Sequence, residues 1–221
     1  MSTRKISFAS GEFYHVFNRG VDKRIIFSDN SDMDRFFRSL IEFNTVEPIG
    51  SLYENSRRDC GGPTATEAKL VQVVAYCLNP NHYHLILEQL VDGGISEFMK
   101  RIGGYTWYFN NKHGRNGALF QGKFKATHID SNEYLLHVSA YVNLNERVHK
   151  LERGGPTATL VKSKSSWEEY VDEGVRGVCE KDIVLGQFGN TREYESFARS
   201  SLESILQKRE ALEGLDAFLL E

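Results

Sequence analysis

The sequence predicts an α+β protein: an antiparallel sheet with helices on one face, ferredoxin-like (RRM-like) in outline, followed by a C-terminal helical extension. Three observations carry this. Strand and helix signals alternate in the order β, α, β, β, α, β, α, the pattern of a sheet covered by helices. Two apolar runs, 70–78 and 82–87, flank Asn79-Pro80-Asn81, a turn that makes them a hairpin. The 221 residues are 40% apolar and 26% charged, which suits a compact domain with an appendage and excludes collagen, coiled coil and wholesale disorder.

Phe13 to Asn18, aromatic and β-branched and stopped by Arg19-Gly20, predicts the first strand. Ser28 to Asp32 supplies capping residues, and Met33, Phe36, Phe37, Leu40, Ile41 and Phe43 then recur at helical spacing over about 31–44. Residues 45–68 read as a loop. The hairpin follows, and Gly93-Gly94 precedes a helix over about 95–112 that Gly103-Gly104 weakens. His113 to Gly117 is a turn and Ala118 to Ile129 a strand. Ser131 caps a helix running to about Asn145, and a last helix occupies about 191–212.

Net charge −3 argues against a nucleic-acid partner only as an average. From Phe98 to Ile129 there is no Asp or Glu, while Lys100, Arg101, Lys112, Arg115, Lys123 and Lys125 give +6, so the rest of the chain carries −9. Seven aromatics are interleaved there, the combination that pairs phosphates and stacks bases. A solvated helix and strand is the plainer reading of such a charge run. Trp167 to Glu221, with thirteen acids against six bases, is not expected along a phosphate backbone. No segment has the roughly 18 apolar residues of a membrane span. Three cysteines (Cys60, Cys77, Cys179) without a CxxC pair point to a reducing cytosol rather than a cysteine-ligated metal. Gly61-Gly-Pro-Thr-Ala-Thr66 recurs as Gly154-Gly-Pro-Thr-Ala-Thr159; two copies read as loop insertions, not a solenoid.

His82 and His84 lie two apart on a predicted strand, so both imidazoles face one side and make half of a metal site. A pair of ordinary surface or core histidines reads the same way. Tyr141 and Asn145, four apart on a helix, share a face. The Asn145 oxygen is a candidate third ligand and the Tyr141 phenol a candidate nucleophile, which with an unperturbed pKa of about 10 needs a cation or base nearby. Tyr105, Tyr108 and Tyr134 compete, and spacing does not choose among them.

Four motifs occur in order: Tyr14-His-Val-Phe-Asn-Arg-Gly20, Ala75-Tyr-Cys-Leu-Asn-Pro-Asn-His-Tyr-His-Leu-Ile-Leu87, Phe120-Gln-Gly-Lys-Phe-Lys125 and Tyr141-Val-Asn-Leu-Asn145. Over about residues 10–170 the sequence resembles the single-tyrosine transposases of the HUH nuclease superfamily, especially the REP-associated tyrosine transposases. The resemblance implies a catalytic domain that cuts and rejoins single-stranded DNA beside a folded hairpin, through a covalent 5′-phosphotyrosine. It implies Tyr141 as nucleophile and Mg²⁺ or Mn²⁺ on His82, His84 and Asn145, without ATP. Imidazoles suit Mn²⁺ better than Mg²⁺. Family members often have Pro after the ligand Asn; here Glu146 stands there.

The expectation is thus a metal-dependent transposase domain over 1–170 and an acidic helical extension over 171–221. Lys123 and Lys125, alternating with Phe124, are the foremost expected DNA contacts, followed by Arg19, Lys112 and Arg115. Its partner is hairpin-bearing single-stranded DNA and no membrane; a homodimer is among the stoichiometries the resemblance allows. The expected location is the cytoplasm, at the nucleoid when DNA-bound. The rivals are a non-catalytic RRM-like binding module and a metal-dependent hydrolase that uses water without a covalent intermediate.

Overall fold

The chain was analysed as a computed structural model that describes residues 6–48, 50, 68–150 and 161–218, with 148–150 and 208–218 by backbone only. Both Gly-Gly-Pro-Thr-Ala-Thr copies, Cys60 and most of the loop expected over 45–68 lie outside the described residues. The ends of that loop are nonetheless pinned. Asn44 Nδ2 donates to Val71 O (2.8 Å), Val71 N donates back to Asn44 Oδ1 (3.0 Å), and Val46 N donates to Ala68 O (2.8 Å).

Among the described residues five strands form one antiparallel sheet: β1 (Phe13–Arg19), β2 (Val71–Asn79), β3 (His82–Gln89), β4 (Lys125–Ile129) and the short β5 (Lys164–Ser165). Their order across the sheet is β4-β1-β3-β2-β5. β3 lies at the centre, flanked on both sides, so its apolar run is buried on both faces. In β2 the register slips between Val73 and Ala75. The extra residue, Val74, inverts the alternation beyond it, because one step along a strand exchanges faces. Ala75, Cys77 and Asn79 therefore pair with Ile86, His84 and His82 and share their face. That bulge sets the floor of the site.

One face carries α1 (Asn30–Glu42), α2 (Gly94–Gly103) and α3 (Tyr105–Lys112). Phe36, Leu40, Phe98, Ile102, Tyr105 and Phe109 pack there on Tyr14, Val16, Tyr83, Leu85 and Leu87. Asp29 caps α1 by accepting from Asp32 N (2.9 Å). The helix expected over 95–112 is broken at Gly104.

The sequence predicts helices on one face; the structure covers the opposite face as well. That face carries α4 (Asn132–Asn143), whose Leu135, Val138 and Val142 pack on Val74, Cys77 and Ile86. Outside α4 lie α6 (Trp167–Val171), α7 (Asp182–Leu185) and α8 (Thr191–Phe218), which add Tyr170, Val184, Tyr194, Ala198 and Leu202 to the same core. The reason is in β2 and β3, whose apolar residues occupy both parities and need cover on both sides. The acidic C-terminal segment thus folds onto the back of α4. The strand expected over 118–129 is regular only as β4; Gly122, at φ +75°, turns the chain before it.

Candidate active site

The hairpin turn delivers His82. Pro80 O accepts from Ile26 N (2.7 Å) and Phe27 N (3.1 Å), and Gly20 N donates to Asn81 O (2.8 Å), so the turn is fixed. Asn81 Nδ2 donates to Lys23 O (3.2 Å), which aims Asn81 Oδ1 at His82 Nδ1, 2.6 Å away. An amide oxygen only accepts, so His82 Nδ1 carries the hydrogen and Nε2 presents its lone pair.

Across the hairpin, Ser163 Oγ donates to Asn79 Oδ1 (2.7 Å), which turns Asn79 Nδ2 towards the site. That amide nitrogen donates to Asn145 Oδ1 (2.8 Å) and lies 3.0 Å from His82 Nε2. Asn145 Oδ1 and His82 Nε2 are 3.1 Å apart, two acceptors converging on one donor. Asn145, fully buried, begins α5 (Asn145–Lys150), with only Leu144 between it and the end of α4. Its Nδ2 is buried without a hydrogen-bond partner, so the amide is held by its oxygen alone.

His84, two residues along β3, shares the face of His82 and is 7% exposed. Its Nδ1 lies 2.9 Å from Nε2 of His15 on β1. Burial pushes the His15 imidazole down to about 4, so at neutral pH it is an uncharged acceptor. For His84 to offer a lone pair at Nε2, its Nδ1 must carry the hydrogen and donate to His15. His15 belongs to the first sequence motif, and strand register places it opposite Ile86, diagonal to His84 on the same face.

Tyr141, in the last turn of α4, is half-buried and lies on the histidine face. Its ring stands edge-on to His84 (centroids 5.5 Å, 84°) and to His15 (6.0 Å, 79°). Tyr105, by contrast, is buried in the opposite layer, donating to Ile26 O (2.6 Å). Cys77 lies opposite His84, and burial pushes its thiol up to about 12.

The fit to a divalent ion can be tested on the donors. Cis ligands about 2.1–2.2 Å from an octahedral centre stand roughly 3 Å apart, which is the spacing of His82 Nε2 and Asn145 Oδ1. Two imidazoles with one amide oxygen suit Mn²⁺ more than Mg²⁺. Elsewhere among the described residues, Asp29, Asp32 and His113 come together. There Lys112 Nζ already lies 2.8 Å from both carboxylates, so an ammonium fills the cation's place.

Lys112, expected among the DNA contacts, is thereby paired with the start of α1. Arg115 lies over the Phe109 ring at 5.6 Å. Lys123 and Phe124 precede β4 and Lys125 opens it; both lysines are exposed and Phe124, stacked on Phe8, is half-buried. Arg19 pairs with His82 across β1 and β3 and so shares its face; its Nε is buried with no hydrogen-bond partner. A cationic N–H in that state beside the histidines is suited to an anionic oxygen.

Residues 63–145 match the family model described as IS200-like transposase. That stretch holds His82, His84, Tyr141 and Asn145. Among solved structures, the chain is similar to a REP-associated tyrosine transposase bound to a REP hairpin, at 14% identity and a TM-score of 0.47, covering 80% of this chain and 90% of that one. No curated protein matches the chain.

Proposed function

We propose that this protein cuts and rejoins single-stranded DNA beside a hairpin through a covalent tyrosyl intermediate. The observation that carries the reading is the meeting, on one sheet face, of the Tyr141 ring with His84, and of Asn145 Oδ1 with His82 Nε2. In this scheme Tyr141 Oη attacks the scissile phosphorus in line, the P–O3′ bond breaks, and a 5′-phosphotyrosine forms. The phenol loses its proton and the leaving 3′-oxygen gains one, so the step balances. Attack by another 3′-hydroxyl reverses it and joins new ends, with no external energy source.

Mg²⁺ or Mn²⁺, when held by His82 Nε2, His84 Nε2 and Asn145 Oδ1, would supply Lewis-acid neutralisation at that phosphate. Arg19 Nε donates to a non-bridging oxygen. Lys123 and Lys125 hold the strand by its phosphates, and Phe124, packed on Phe8, sets the lysines' backbone in place. His15 is a positioning residue that keeps the His84 ring from turning.

The test is a labelled hairpin with a single-stranded flank, incubated with Mn²⁺. A denaturation-resistant protein–DNA adduct is expected, and Tyr141→Phe abolishes it. An undiminished adduct in that variant overturns the assignment, and turnover without any adduct supports water as nucleophile instead.

A further inference from the structure

Among the described residues the most exposed large apolar side chain is Trp107, at 74%; the next, Ile183, is at 47%. Leaving an indole in water is costly when nothing covers it, since its apolar body gains from burial or stacking. Trp107 projects from α3 into a hollow of about 480 Å³ that it shares with Asn110, Asn111, Arg115 and Asn116. The hollow is built. Arg115 N donates to Asn110 O (2.8 Å), and Asn110 Nδ2 donates to Gly117 O (2.8 Å), tying the turn after α3 back onto the helix. Gly114 (φ +59°) and Gly117 (φ +86°) make that turn, and neither would meet another atom with a Cβ, which leaves the hollow's mouth clear. Asn110 Oδ1 is buried and has no hydrogen-bond partner.

The surroundings of the ring decide what it suits. A protein-docking hot spot sets its aromatic anchor among other apolar side chains. Trp107 stands among amides and a guanidinium, in a stretch without Asp or Glu from Phe98 to Ile129. Amides match the donor and acceptor edges of an unpaired base, the indole its π-face, and the arginine a phosphate.

We propose that Trp107 is a stacking platform for an unpaired base of the single strand, with the asparagines at the base edge and Arg115 at a flanking phosphate. The inference rests on the DNA-processing reading. α3 lies in the helix layer opposite α4, so the contact is with a stretch of strand away from the scissile phosphate and grips substrate without taking part in the chemistry.

The experiment titrates full-length Tyr141→Phe protein, which cannot cleave, with a thymidine oligonucleotide of about twelve bases, within the usual site size. The chain's other tryptophan, Trp167, is 8% exposed, so a stacking partner quenches mainly Trp107. Quenching on binding is expected. Trp107→Ala, on the same background, loses the quench and binds roughly fivefold to hundredfold more weakly, and Trp107→Phe retains most of the affinity. Because the ring is exposed, circular dichroism of both variants stays that of the parent. Equal affinity and equal quenching in Trp107→Ala overturn the platform alone, as does a variant that dissociates a dimer while keeping its DNA affinity. A parent that binds no single strand overturns both the platform and the DNA-processing reading.

Discussion

Replacing His15 by Leu isolates the support behind His84. The imidazole nitrogens of the two residues are 2.9 Å apart, and both side chains are at most 9% exposed, so water does not replace the lost acceptor. Removing that acceptor from the buried His84 Nδ1 costs about 1–3 kcal/mol, and the ring gains a rotation that the His15 contact now blocks. Loss of such an orienting partner typically weakens metal binding about 10–100-fold, or about 1.4–2.7 kcal/mol, the same range reached from the hydrogen bond. Two readouts separate the effect from misfolding. Electron paramagnetic resonance of unbound Mn²⁺ measures affinity directly, and adduct formation against Mn²⁺ concentration gives the midpoint and the plateau. The midpoint is expected to rise about 10–100-fold with the plateau within about threefold of wild type, and His15→Gln, which restores an acceptor, recovers part of the loss. An unchanged Mn²⁺ affinity in His15→Leu refutes the reasoning.

Two further outcomes are expected. Tyr194→Phe removes the hydroxyl that accepts from Asn143 Nδ2 (2.8 Å) and meets Ser139 Oγ (3.2 Å); the stranded amide costs about 1–3 kcal/mol, measured as a lower denaturant midpoint, and an unchanged midpoint rejects the role of α8 as a brace for α4. The Lys112 ammonium beside Asp29 holds that carboxyl below the usual range, so its contribution is complete above the unfolded pKa near 4 and is lost as pH falls further. Because Asp29 is exposed, the loss is only about 0.5–1 kcal/mol, and Lys112→Met flattens stability between pH 4 and 2; a profile parallel to wild type would remove the linkage.

Much of the site was legible because strand periodicity is local. His82 and His84 share a face by parity alone, and Tyr141 with Asn145 by helical spacing, although the helix ends between them at Leu144. Asn79 was hidden, since its side chain reaches the site only through the bulge at Val74, and whether a strand slips is decided by its partners. Lys112 looked like every other lysine of the basic stretch until α1 placed Asp29 and Asp32 against it.

Local order, the hairpin, the histidine face and the acid-free stretch were therefore determined by the sequence itself, each arising from neighbours a few residues apart. The tertiary structure alone decided that both sheet faces are covered, that His15 stands behind His84, and that the acidic C-terminus lies on the back of α4. These depend on contacts between segments tens of residues apart, where burial and desolvation choose the partner and no spacing along the chain records the choice.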